Sequence, residues 1–317
     1  MAPRVTEALA GRPGTGEPVT TCGVIALVNL QAQISARQTL TERNRLAFVD
    51  RAGLVDLLLV RGQVLGRIAD YEQVERTASS LVSDEPVQGL ALLARARTRA
   101  VFHRFAPALA DLATAERLGA DTTEVDTERA AVHQALGRYD EAGRLLHEAV
   151  RRRRDFQTSV RWPACVPSTP TSPPPSTCSP KAAPATAESA PFPLALLDLH
   201  RGRMWQQQND LSQARLWFDS ALHRLPDMAP ALGCYAQIEA ALGETTSAIT
   251  RLRPLVTSTD DPDYPAQLTI LLNATGRTDE GRHWREQAEA RYNQLRARHP
   301  DAFTDHAASF RLALGET

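Results

Sequence analysis

A period of 34 residues between Val55 and Arg154 constrains this chain more than any other feature it has. With position 1 set at Val55, Gly89 and Thr123, the same kinds of side chain return at the same places. Gly62, Ala96 and Ala130 stand at position 8, Tyr71, Phe105 and Tyr139 at position 17, Val74, Ala108 and Ala142 at position 20, and Leu81, Ala115 and Ala149 at position 27. Small residues let two backbones approach closely, and a ring at a fixed place plugs the gap between one unit and the next. Two packed antiparallel helices per unit meet both demands. Each pair leaves an apolar face that only a neighbour can cover, so the units must stack.

The rhythm stops after the third unit and resumes from a frame starting at Ala195, with Gly202 at position 8, Trp205 at 11, Leu211 at 17, Ala214 at 20, Phe218 at 24 and Ala221 at 27. A fifth frame starts at Ala229 and a sixth near Pro262, where Leu268, Leu272, Gly276 and Ala288 fall in register. Some positions depart from the pattern. Asp126 replaces a large apolar residue at position 4, Arg99 and His133 occupy position 11, and Thr245 and Thr278 replace the ring at 17. Residues 151–193 hold ten of the 21 prolines and a net charge of +4 in a chain whose total is −1. Proline removes amide donors and blocks helix, so this stretch is expected to be a disordered linker, either a natural insertion between two arrays or the product of a shifted reading frame. The run Arg151 to Arg154 reads as a helix end, where cations favour the C-terminal dipole.

The expected organisation is all-α: a helix-turn-helix repeat solenoid of about six units, interrupted by the linker. Residues 1–38 form a disordered or weakly helical tail, 39–156 the first three repeats, 157–192 the linker, and 193–317 the last three repeats with a capping helix from Phe303 to Leu314. Residues 21–37 allow either a short helix or a loose apolar segment. Thr39 or Thr41 is expected to cap one helix running on to Leu65. Trp205 should face its partner helix, and Tyr71, Phe105 and Tyr139 should be core plugs.

Composition narrows the function. A chain 43% hydrophobic but only 5% aromatic suits helices packed through small residues. A net charge near zero gives no field to draw it to nucleic acid or an anionic membrane. Lys181 is the sole lysine, which points to a GC-rich coding sequence and a bacterial source. Cys22, Cys165, Cys178 and Cys234 form no C-x-x-C pair, so reduced thiols and a cytoplasmic location are expected. The longest apolar run, Gly23 to Leu30, is far short of the ~20 residues of a membrane span. His299, Asp301, Asp305 and His306 are the densest polar cluster, and a helix stop followed by an acidic first turn accounts for them without a metal. With no strand, nucleophile elbow or dinucleotide fingerprint, neither an enzyme nor a cofactor site is expected.

The small–aromatic–small spacing and the segment Ala-Leu-Gly-Arg-Tyr-Asp-Glu-Ala at 135–142 resemble the tetratricopeptide repeat (TPR) family. The resemblance implies a scaffold or adaptor that holds a protein or peptide on its concave face, through positions 2, 5, 9, 12 and 13 of each repeat. Carried onto this chain, those positions select Leu59, Gln63, Arg67, Leu93, Arg97 and Gln134, then Leu199, Arg203, Gln206, Gln207 and Gln237. The family's two-carboxylate clamp needs Lys at position 5, which here is Leu59, Leu93, Thr127, Leu199, Gly233 or Ala266, so that subtype is not implied. Two other readings stay open: a helical sensor or regulatory module of a bacterial transcription or signalling system, and the helical accessory part of an enzyme.

Overall fold

The computed structural model describes residues 20–43, 47–152 and 190–316; all but the last three residues of the expected linker lie outside them. The described residues form fourteen helices. Helix α1 spans Gly23–Glu42. Three hairpins follow: α2 (Phe48–Leu65) with α3 (Ile68–Asp84), α4 (Gly89–Val101) with α5 (Phe105–Arg117), and α6 (Thr122–Ala135) with α7 (Tyr139–Arg152). A second array then runs α8 (Phe192–Gln207) with α9 (Leu211–Arg224), α10 (Ala229–Ala241) with α11 (Thr245–Ser258), α12 (Asp263–Ala274) with α13 (Thr278–Arg298), and α14 (Pro300–Ala313) against the last pair.

Close approach at the small positions is visible atom by atom. A Cβ on Gly62 would lie 2.8 Å from the Tyr71 ring, and one on Gly202 would lie 2.3 Å from the ring of Phe218. The ring at position 17 therefore fills its own helix pair in the first repeat, and Phe218 at position 24 takes that place in the fourth. Tyr139 is a correction: it is 43% exposed. Among the described residues no helix stacks closely on α7 as α5 stacks beneath α6, so its ring has no core to enter.

The N-terminal reading also changes. The single helix expected from Thr39 to Leu65 is two helices, broken between Glu42 and Phe48. Thr39 and Thr41 cap nothing; their hydroxyls donate back to the carbonyls of Ser35 and Arg37 within α1. Of residues 21–37, for which the sequence allows a short helix or a loose segment, 23–37 belong to α1, whose Ala26, Leu30 and Ile34 are buried.

The two arrays lie side by side, and the second seats its first helices on the first repeat. Val64 of α2 is buried in one cluster with Ala195, Leu199, Phe218 and Tyr235. Gly66 ends α2 at φ 63°, a left-handed conformation, and a Cβ there would stand 3.2 Å from both Ala229 and Tyr264. Asp260, before α12, caps α3 from outside its own array: its carboxylate accepts from the amides of Ile68 at 2.6 Å and Ala69 at 2.9 Å. At the far end His299 stacks on Phe102 with ring centroids 3.7 Å apart. Arg298 pairs with Glu72 at 2.5 Å, and Arg104 pairs with Glu75.

His299 makes this joint sensitive to pH. Its ring is 3% exposed, and Arg104 Nη2 stands 3.1 Å from Nδ1. A guanidinium can only donate, so Nδ1 accepts and the ring proton sits on Nε2, facing Glu72 Oε1 at 3.4 Å. Burial holds the imidazole pKa below its ordinary value, with Arg104 lowering it further and Glu75 and Glu72 pulling the other way. The unfolded chain therefore takes up the proton first. Stability is full above the ordinary histidine range, ~6.5, and falls as pH drops below it. Between pH 7.5 and 5.5 the melting temperature should fall further in the parent than in His299→Gln; equal falls would exclude His299 as the source.

Candidate functional site

Helices α2, α4 and α6 line the inner face of the first array. Residues three or four apart on a helix share a face, so α2 presents Asp56, Leu59, Val60 and Gln63 together. Arg97, Ala100 and Val101 come from α4, and Glu124, Glu128, Ala131, Gln134 and Ala135 from α6. Tyr71 and Phe105 reach in from the starts of α3 and α5. The start of α8 closes the far side with Phe192, Pro193, Leu196 and His200. Together they enclose a cavity of about 670 Å³.

Its polar centre is Arg97, 17% exposed, which donates to Asp56 at 2.8 Å, Glu128 at 3.0 Å and Glu124 at 3.3 Å. Burial opposes the charge on Arg97, but Glu128, Asp56 and Glu124 outweigh it and hold the guanidinium above its ordinary pKa. Burial, with Glu128 and Glu124 close by, raises the Asp56 carboxyl above its ordinary range against the pull of Arg97.

Of the residues selected by sequence, Leu59, Gln63, Arg97 and Gln134 meet around this cavity. Arg67 does not: it precedes α3, with its guanidinium 3.8 Å from Asp70. Leu93 and Leu199 are corrections, being 1% and 2% exposed. Leu93 is held in the core between α4, α5 and α6, and Leu199 is covered by Val64 of the first array. Arg203 and Gln207 are exposed on α8, and Gln206 donates to Gln237 at 3.0 Å, but none of these four lines the cavity. Trp205 is partly buried against the core shared by both arrays.

Sequence reasoning passed over Asp56, Glu124 and Glu128, although a signal was present: the two at position 2 are both acids and face Arg97 at position 9. It also missed an arginine at position 7 of four repeats, Arg61, Arg95, Arg129 and Arg201. Each pairs with a nearby acid: Arg61 with Asp70 at 2.6 Å, Arg95 with Asp111 at 2.8 Å, Arg129 with Asp126 and Glu116 at 2.8 Å each, and Arg201 with Asp198 at 3.6 Å. The polar residue at position 4 of the third repeat, Asp126, is thus a buried partner for Arg129 and Arg152. Arg151 and Arg152 form the last turn of α7.

Among the described residues no three His, Cys, Asp or Glu side chains gather as metal ligands would. Cys22 and Cys234 are free thiols. No helix of the described residues is long and apolar enough to cross a membrane.

Antiparallel helix pairs stacked at a 34-residue interval, with the first helix of each pair lining an inner face, make this an all-α, TPR-like repeat solenoid. No family model and no curated protein matches the chain. Solved structures do match. The hetero-tetramer of Cut9 and Hcn1 from the APC/C shares 15% identity over 89% of this chain at a TM-score of 0.40, and this chain spans 46% of that one. TTC0263, a thermophilic TPR protein in Thermus thermophilus, shares 19% identity over 71% of this chain and 98% of its own, at a TM-score of 0.37. PilW, a widely conserved type IV pilus biogenesis factor, shares 17% over 80% of this chain and 94% of its own, also at 0.37.

Proposed function

We propose that the chain is a non-catalytic scaffold that binds a protein partner by taking an extended segment of it onto the inner face of the first array. One observation carries the reading: the cavity of about 670 Å³, where Leu59 and Phe105 offer apolar wall and Gln63 offers an amide. That combination suits a peptide, whose backbone needs hydrogen bonds and whose side chains need pockets. In the second array the first repeat covers part of the matching face: Val64 buries Leu199, and the turn between α2 and α3 sits against Ala229 and Tyr264.

Ala135 lines the cavity and is exposed, so Ala135→Trp should fill the groove at little cost to folding. Expected is a partner retained from the source lysate by the parent, identified by mass spectrometry, and lost with Ala135→Trp while the melting temperature holds. The same proteins retained by both would place binding elsewhere.

A further inference from the structure

We propose that the outer flank of α7 binds a second copy of this chain, with the two α7 helices crossing antiparallel about a two-fold axis. This face is separate from the groove, and its use does not depend on what the groove holds. Inside the first array, each second helix carries residues that the following repeat covers. Val82 of α3 and Leu109 of α5, at positions 28 and 21, pack against the core that holds Leu92, Leu93 and Val125. The same positions in α7 are Val150 and Gly143. Among the described residues no helix stacks closely on them. Leu136 and Tyr139, on the same side by their spacing, are 39% and 43% exposed, and a Cβ on Gly143 would have nothing within 4 Å.

Two features select a second copy as the occupant. First, the flank is complementary to itself. Tyr139 and Val150 are eleven residues apart, about three turns, so they share a face with Gly143 between them. Asp140 and Arg151 are also eleven apart and run along the edge of that face. Both are exposed, and neither has an ion-pair partner among the described residues. An antiparallel crossing exchanges the two ends of the helix. Tyr139 of one copy then covers Val150 of the other, and Asp140 of one faces Arg151 of the other, each contact made twice by symmetry. Gly143 at the crossing lets the two backbones approach closely. Second, head-to-tail stacking has no acceptor. The opposite end of the array is covered by α1, whose Leu30 and Ile34 pack against Ala52 and Leu54 of α2. The contact therefore closes as a pair and does not run on as a filament.

Sedimentation velocity on the full chain tests this contact. One helix pair is a small interface, so the parent should pass from monomer to dimer gradually as its concentration rises from about 1 to 300 µM. Gly143→Arg sets a long charged side chain at the crossing, in space its own fold leaves open, and should weaken association at least about tenfold with no loss of melting temperature. Asp140→Arg and Arg151→Asp each place like charges opposite each other and should each weaken self-association about tenfold. An equimolar mixture of those two variants should recover the dimer of the parent, because each then meets the opposite charge on the other. A parent that stays monomeric throughout would overturn the proposal, as would a Gly143→Arg chain that associates like the parent. Charge variants that self-associate like the parent, or a mixture that stays monomeric, would overturn the antiparallel pairing. If circular dichroism shows a charge variant unfolded, Gly143→Arg decides alone.

Discussion

Asp70→Ala is expected to cost about 3–5 kcal/mol of folding stability, which urea unfolding would read as a lowered midpoint at unchanged slope. Arg61 and Asp70 bury their side chains to 7% and 3% exposure and meet through two hydrogen bonds, at 2.6 and 2.8 Å. The third contact of the guanidinium, 2.6 Å to Gln31, ties in α1. Removing the carboxylate leaves a charge that cannot be shed by deprotonation and that water does not reach. The size comes from stranding Arg61 and not from the worth of the pair, so a double replacement by apolar residues of similar volume should recover most of the loss. Asp279→Ala is the contrast. Its pair with Arg282 has side chains 93% and 66% exposed, and its loss should be hard to detect. A fall of under about 1 kcal/mol for Asp70→Ala would mean that Arg61 is hydrated and the pair is not buried.

Gly23→Ala should loosen the seat between the arrays by about 1–3 kcal/mol. A Cβ at this position would lie 2.1 Å from the carbonyl oxygen of Arg224, and its next neighbours, the Arg224 carbon at 3.1 Å and Leu225 Cα at 3.2 Å, are also backbone. No rotamer change relieves such a contact, so α1 has to move away from the end of α9. That withdraws Leu27 from the core built around Phe218 and Met228. Hydrogen exchange should rise across 23–42 together with a lower melting point. Gly53→Ala is the opposite case. It lies within α2 with nothing within 4 Å of its would-be Cβ, so it should raise stability by about 0.5–1 kcal/mol. If both glycine variants melt above the parent, α1 does not rest on Arg224.

The sequence is informative where contacts are local. The helix pairs could be read from it because the repeat is local: Gly62 and Tyr71 lie nine residues apart, and that spacing recurs. The inner face was partly legible for the same reason, and Leu59, Gln63, Arg97 and Gln134 do share a cavity. The rest failed on particular grounds. Leu199 occupies a position that would line the open inner face of an isolated array, but Val64 from the other array covers it. Gly23 carries no periodic signal, and the carbonyl it touches is some 200 positions away. Side-by-side seating of two arrays lies outside any pattern that relates each unit only to its neighbours in the chain. The position-7 arginines were within reach and were overlooked, because a charged residue at regular spacing reads first as a wet helix face.

The capping of α3 by Asp260 has a consequence for how the molecule is made. The two partners of that hydrogen bond are 192 residues apart. At ordinary rates of synthesis, about 5–20 residues per second, the first amides of α3 wait on the order of 10–40 s for their acceptor. Over the same interval Val64 has no second array to enter. A solenoid ordinarily grows by adding each finished unit to the last, and its cooperativity is short-ranged. Here the earliest repeat is completed by one of the latest, which converts a linear assembly into a closed one and raises the contact order of the whole chain. The nascent first array is therefore the stage at which chaperones and proteases have most to recognise, and its maturation is timed by the arrival of Asp260.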